Sequence, residues 1–267
     1  KRTECCLSEG VQTEQQRSAC VEEDGPTSRL ELVFGRAGVR RLAESTVMVF
    51  GAGGVGASCI EALARGGVGR LVVVDGDVVQ ASNINRQAIA FCSTVGRRKV
   101  DVVRAMVADI NPSAQVVPLD RFVLPEEVDA LMDEWAPQAD YVVDAIDTVS
   151  TKMAIAAYAD RAGVRLVSSM GAANKLRPDC FQFADIYDTA NDPLCRIVRK
   201  EARKRGIRSL RVLYSREEPA ALPLGEPAPA EAGRRPTLGT ASYVPPIMGQ
   251  MLAGFVIREL AVPRGRS

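Results

Sequence analysis

Residues 47–77 read VMVFGAGGVGASCIEALARGGVGRLVVVDGD, and this stretch decides the fold. Val47 to Phe50 is a continuous apolar run, the pattern of a parallel strand buried on both faces. Gly51, Gly53 and Gly56 follow at the G-x-G-x-x-G spacing, with Gly54 inside it. Such a turn lets the backbone approach a phosphate and aims the free N–H groups of the next helix at the anion. Val55, Cys59, Ala62 and Leu63 share one helical face, ended by Gly66 and Gly67, and Leu71 to Val74 forms a second apolar strand. Asp75 stands 19 residues beyond Gly56, at the strand end, where a carboxylate can accept both ribose hydroxyls. Strand, turn, helix, strand and acid together predict an adenine-nucleotide site without saying which nucleotide.

Moving outward, the alternation continues. Val100, Val103, Val107 and Ile110 lie at helical spacing before the stop Asn111-Pro112, and Val116 to Leu119 reads as a third strand. A short helix carries Val128, Leu131, Met132 and Trp135; Tyr141 to Val143 is a fourth strand, and Val164 to Ser168 a fifth after a helix over 149–162. This order predicts a doubly wound, Rossmann-like, mostly parallel α/β sheet. Beyond Gly171 the pattern changes to an added layer: an edge strand with Phe181 and Phe183, a basic helix over 193–205, a strand over 210–214 and a closing amphipathic helix with Ile247, Met251, Phe255 and Leu260. Leu30, Val33, Phe34 and Leu42 predict a packed helix before the first strand. Residues 1–28 are polar and aperiodic, the pattern of a flexible tail, and the Pro/Ala/Glu-rich 217–236 reads as a mobile excursion within a single domain over 29–267.

Composition narrows the chemistry. At 267 residues, with 46% hydrophobic and 25% charged residues, the chain suits one soluble α/β domain with an ample core. No apolar run approaches the ~20 residues needed to cross a bilayer. Seven cysteines without framework spacing suggest a reducing cytoplasm. There is no histidine, which removes Ser-His and Cys-His catalysis and His-bound metal. Chemistry here must use carboxylates, Lys, Arg, backbone amides and a metal carried by the ligand.

Those groups are gathered along the carboxyl edge of the sheet, where open α/β sheets bind ligands. Asn83, Arg86 and Gln87 follow the Asp75-Gly76-Asp77 turn, Lys99 opens the next helix, and Asp147 follows the fourth strand. Two cations near phosphates suit a nucleotide whose phosphates react, since they stabilise negative charge developing at phosphorus. Asp147 is placed to hold Mg²⁺ jointly with phosphate oxygens. A dehydrogenase would leave this set unexplained.

GAGGVG, D-G-D, S-N-I-N-R-Q, V-G-R-R-K-V, I-N-P and D-A-I-D, in this order, resemble the ThiF/MoeB/HesA superfamily of adenylating enzymes, which includes the ubiquitin-activating enzymes. The resemblance implies ATP as ligand. It assigns Gly51, Gly53, Gly54 and Gly56 to the phosphate turn, Asp75 and Asp77 to the nucleotide, Asn83, Arg86 and Lys99 to the phosphates, and Asp147 to Mg²⁺. It also implies a homodimer, in which Arg29, six residues before Gly35, would reach the neighbour's ATP.

Residues 168–217 and 238–260 resemble the tRNA threonylcarbamoyladenosine dehydratase branch of that superfamily. The matching features are Gly171-Ala172-Ala173, the aspartate-rich 185–194, the basic helix, and the V-x-Y-S-x-E strand over 212–217. The resemblance implies adenylation of a threonyl carboxylate on tRNA, followed by intramolecular cyclisation and release of AMP. Between residues 193 and 211 eight basic residues face Glu201 alone, an excess of seven positive charges in a chain of net charge +1. Arg196, Lys200 and Lys204 lie four apart on one helical face, suited to a phosphate backbone. Two alternatives stand beside this one. An activator of a ubiquitin-like or sulfur-carrier protein tail would use Cys180 or Cys195 as nucleophile and a sulfur-transfer protein as partner. A nucleotide-binding partner without catalysis would leave Arg86, Lys99 and Asp147 without purpose.

Overall fold

A computed structural model describes residues 25–218 and 239–262. The tail expected over 1–28 lies outside the described residues up to residue 24, and the excursion expected over 217–236 lies outside them from residue 219. Ser28 already belongs to the first helix, α1 (Ser28–Glu44), which bends at Gly35, where φ is 68°. Here one expectation fails. Val33 is 73% exposed, because the bend turns it away from the packed face that Leu42 occupies.

Seven strands form one sheet in the order β3-β2-β1-β4-β5-β7-β6. They are β1 (Thr46–Phe50), β2 (Arg70–Val74), β3 (Gln115–Leu119), β4 (Tyr141–Asp144), β5 (Leu166–Ser169), β6 (Phe181–Asp185) and β7 (Arg211–Ser215). All neighbours pair in parallel except β6, which runs antiparallel to β7 at the edge. The strand order reverses between β1 and β4, so the crevice that such sheets use for ligands opens at their carboxyl ends. Both central strands are buried along their whole length, as the apolar runs Val47–Phe50 and Tyr141–Val143 require.

Helices cover both faces. On one side α2 (Gly54–Arg65), α3 (Lys99–Ile110) and the closing α7 (Val244–Ala261) build a core with Val47, Val49, Leu71 and Val73. On the other, α4 (Val128–Trp135), α5 (Val149–Ala162) and α6 (Pro193–Lys204) pack on Met48, Phe50, Val72 and Val142. The sequence predicts an amphipathic α2, yet Gly56 through Ile60 and Ala62 through Ala64 are all buried. The reason is α7, which lies along α2 and removes its outer face from water. Arg41 of α1 then ties onto the end of α7, its Nε donating to the Ala261 carbonyl at 3.1 Å.

Candidate active site

The carboxyl ends of β1, β2 and β4 and the segments after them enclose a cleft of about 620 Å³. Its floor is the glycine turn. Gly51 leaves β1 at φ 91°, a conformation that L side chains rarely adopt, and a Cβ there would meet the Ala145 carbonyl at 2.9 Å. Gly53 and Gly54 line the cleft at the N-terminus of α2. Gly56 is not among the residues that line it. A Cβ on Gly56 would sit 1.8 Å from the Gly51 carbonyl oxygen, so this glycine lets α2 press onto the turn.

Asp75 closes the turn from β2. One carboxylate oxygen accepts from Ala52 N at 2.7 Å and the other from Asp77 N at 2.8 Å, so the side chain fixes the turns that follow both strands. Each oxygen keeps a second lone pair for a hydroxyl donor. Lys99, at the first position of α3, is only 4% exposed, with its Nζ 2.7 Å from Asp77 and 3.9 Å from Asp75. The ammonium therefore lies at the cleft wall between two carboxylates, desolvated and held.

The segment 80–87 carries the next groups. Asn83 is buried and lines the cleft, its Oδ1 accepting from Gln80 N at 3.0 Å. Arg86 lies against Gly54 and donates to the Ser82 carbonyl at 3.0 Å and to Asn85 Oδ1 at 2.8 Å. Gln87 is buried at the cleft wall, and its Oε1 has no hydrogen-bond partner. An orphaned amide oxygen in such a place is costly unless something donates to it.

The two aspartates of D-A-I-D part company. Asp144 and Lys152 are both sealed from water, 1% and 0% exposed, with Nζ 2.7 Å from the carboxylate. Ser168 Oγ donates to the same carboxylate at 2.6 Å, and Lys152 also reaches the Ser169 carbonyl at 3.0 Å. This network knits β4, β5 and α5 together. Asp147, three residues on, is exposed on the cleft wall. Arg29 is exposed at the start of α1 and is not among the residues lining the cleft.

A model of the ThiF family matches residues 27–258. The chain belongs to the ThiF family. Among ThiF relatives, the tRNA threonylcarbamoyladenosine dehydratase of Bacillus subtilis is 41% identical over 242 residues, covering 87% of this chain and 93% of that one. The dehydratase of Escherichia coli K12 is 37% identical over 66% of this chain and 63% of its own length. Two crystal structures of the E. coli tRNA N6-threonylcarbamoyladenosine dehydratase superpose closely. The complex with AMP has a TM-score of 0.76 at 29% identity, covering 86% of this chain and 91% of that one. The complex with ATP has a TM-score of 0.77 at 27% identity, covering 93% and 96%.

The two cysteines considered as nucleophiles lie outside the cleft lining. Cys195 is buried in the first turn of α6, and burial, with Asp192 beside it, pushes its thiol far above the ordinary range. Cys180 is half-buried and does not line the cleft. Other cleft residues carried no signal in the sequence. Arg121 and the 69%-exposed Phe122 reach the site only because Gly76 has no side chain: a Cβ there would lie 2.5 Å from Phe122 N. Thr240 and Pro245 come from the far end of the chain, with Thr240 held through its carbonyl by Asn85.

Proposed function

We propose that this chain is an ATP-dependent tRNA threonylcarbamoyladenosine dehydratase. The observation that carries the reading is the convergence of a glycine turn at a helix N-terminus, Lys99, Arg86 and Asp147 on one cleft, in a chain 41% identical to a dehydratase over 87% of this chain and 93% of that one. Residues 29–267 act as one adenylating domain. The α2 N-terminus, with Gly51, Gly53 and Gly54, receives the phosphates, and Asp75 takes the ribose. Arg86, Lys99 and the Asn83 amide surround the α-phosphate as it becomes pentavalent and more negative. Asp77 sets the position of Lys99 through their ion pair.

Among the described residues no group of three or more His, Cys, Asp or Glu is arranged to hold a metal. A cation would be shared with the nucleotide, and the exposed Asp147 carboxylate on the cleft wall supports a place for it, being a hard oxygen ligand of the kind Mg²⁺ takes. Mg²⁺ bound with ATP would neutralise charge on the phosphates.

The threonyl carboxylate oxygen attacks the α-phosphorus, and the bond to the β-phosphate oxygen breaks, releasing pyrophosphate. The neighbouring ureido group then attacks the acyl carbon, gives up a proton and expels AMP. The second step is intramolecular and gains from a high effective molarity, so the buried thiols need take no part and a sulfur-transfer partner is not required. The enzyme acts as a cytoplasmic homodimer, with Arg29 of one subunit reaching the other's ATP. Among the described residues no helix is long and apolar enough to cross a membrane.

The test is AMP release from ATP and Mg²⁺ with tRNA carrying or lacking the threonylcarbamoyl group. The reading expects AMP only with the modified tRNA. Equal release with both, or release driven only by a protein ending in Gly-Gly, overturns it.

A further inference from the structure

The strongest feature outside the cleft is α6. Its apolar positions Cys195, Val198 and Ala202 face the sheet, and its N-cap Asp192 accepts from Cys195 N at 2.8 Å. At 100° per residue, Arg203, Arg196, Lys200 and Lys204 fall within an arc of about 100° on the opposite side of the helix, and all four are exposed. Arg199 is not part of that face. It turns inward, and its guanidinium donates to the Thr189 carbonyl and hydroxyl at 2.7 Å each, so one of the helix's basic residues has a structural use. Lys204 shares its charge with Glu201 at 2.8 Å, and Arg203 lies over the Tyr187 ring at 5.4 Å. Among the described residues no ion pair restrains Arg196 or Lys200.

The direction of this helix gives the cations a purpose. β7 enters the sheet from its amino edge directly after α6, so α6 runs from the cleft edge downward. Its first turn meets the cleft wall: Leu194 packs against Gly171, and the next residue, Ala172, lines the cleft. The junction is locked. Lys175 is buried, donates to the Glu217 carbonyl, and lies 3.8 Å from the Asp192 carboxylate, while Glu217 accepts from the backbone of Leu176 at 3.0 Å and of Arg177 at 2.9 Å. These bonds hold the 171–177 turn, the N-terminus of α6 and the exit of β7 as one corner.

We propose that α6 is a phosphate rail. The RNA strand next to the modified nucleoside runs along Arg196, Lys200 and Lys204, and the nucleoside enters the cleft across the Gly171-Ala172 corner. The proposal rests on the tRNA reading above and adds the route and the residues. Its electrostatics are those of counterion release, in which each neutralised phosphate contributes about 0.7–0.9 to the slope of log affinity against log salt.

The test compares two variants of the full chain. Arg196→Gln/Lys200→Gln/Lys204→Gln removes the rail; Gln favours helix, so α6 is retained, and circular dichroism checks this. Arg97→Gln/Arg104→Gln removes charge from α3 and the residues just before it, on the other side of the sheet. The rail variant is expected to raise KM for modified tRNA at least about tenfold with kcat at saturating tRNA within about twofold, and to reduce the salt slope of tRNA binding by about 2–3. The α3 variant is expected to change KM by less than about twofold. An unchanged KM and slope in the rail variant, or equal losses in both variants, overturns the rail. If the wild-type chain shows no dependence on modified tRNA at all, the tRNA reading itself has failed, which separates the two outcomes.

Discussion

Lys99 Nζ lies 2.7 Å from the Asp77 carboxylate, so the cleft contains a preformed ion pair at its wall. The pair holds a cation that is almost wholly removed from water, and nucleotide phosphates would offer that cation a second partner. Lys99→Met leaves Asp75 and Asp77 uncompensated beside incoming phosphates. The expected result is an ATP affinity lower by about 10- to 100-fold, matching the ~1.5–3 kcal/mol of a hydrogen bond to a charged group. Calorimetric titration measures it, and an affinity within twofold of wild type removes Lys99 from the nucleotide site.

The two aspartates of D-A-I-D should separate chemistry from stability. Asp147→Asn touches an exposed side chain, so its unfolding midpoint should match wild type while AMP formation falls by about a hundred- to a thousandfold. Lys152→Met instead leaves Asp144 charged, buried and unpaired, and should cost about 3–5 kcal/mol in urea unfolding. Wild-type turnover in Asp147→Asn, or wild-type stability in Lys152→Met, contradicts this division.

The glycines of the turn divide in the same way. A Cβ at Gly53 comes no nearer than 4.0 Å to Gln87 Nε2, so Gly53→Ala should fold with stability within about 1 kcal/mol of wild type. Its methyl enters the space facing the phosphates, and ATP should bind at least about tenfold more weakly, ~1.4 kcal/mol. Gly56→Ala drives its methyl into the Gly51 carbonyl and should lose about 3 kcal/mol or more, whatever the ligand. Thermal unfolding with and without ATP distinguishes the two.

Thiol chemistry offers a check on the corner and the core. Burial pushes the Cys59 thiol up to about 12 from an ordinary 9, and raises Cys195 further, whereas Cys92 is exposed. Iodoacetamide on the folded protein at neutral pH should alkylate Cys92 and spare Cys59 and Cys195, as read by peptide mass mapping. A group whose proton is held more tightly in the folded state contributes stability below its unfolded pKa. That contribution is therefore present below about pH 9 and lost as pH climbs towards 12. Rapid alkylation of Cys195 in the folded chain would reopen its candidacy as a nucleophile.

Much of this was legible in the sequence, because it is local. The run from Val47 to Asp77 specifies strand, turn, helix and strand through neighbours within one βαβ unit, and the separation of Asp144 from Asp147 follows from three residues of chain. What was hidden depends on distant partners. Val33 belongs to the apolar pattern of α1 and is lost from it only through the bend at Gly35. The burial of α2 from Gly56 to Ile60 and from Ala62 to Ala64 is imposed by α7, nearly two hundred residues later. Phe122 has no motif and enters the site through the space above Gly76. Arg199 looks like its basic neighbours until Thr189 folds back to meet it.

Following one oxygen atom tests whether the threonyl carboxylate is adenylated. Modified tRNA carrying heavy oxygen in the threonyl carboxylate is turned over with ATP and Mg²⁺, and the AMP is analysed by mass spectrometry. Adenylation puts one heavy oxygen in the AMP phosphate and leaves a nucleoside lighter by one labelled water. Unlabelled AMP, with both heavy oxygens kept on the tRNA or released as water, would contradict it.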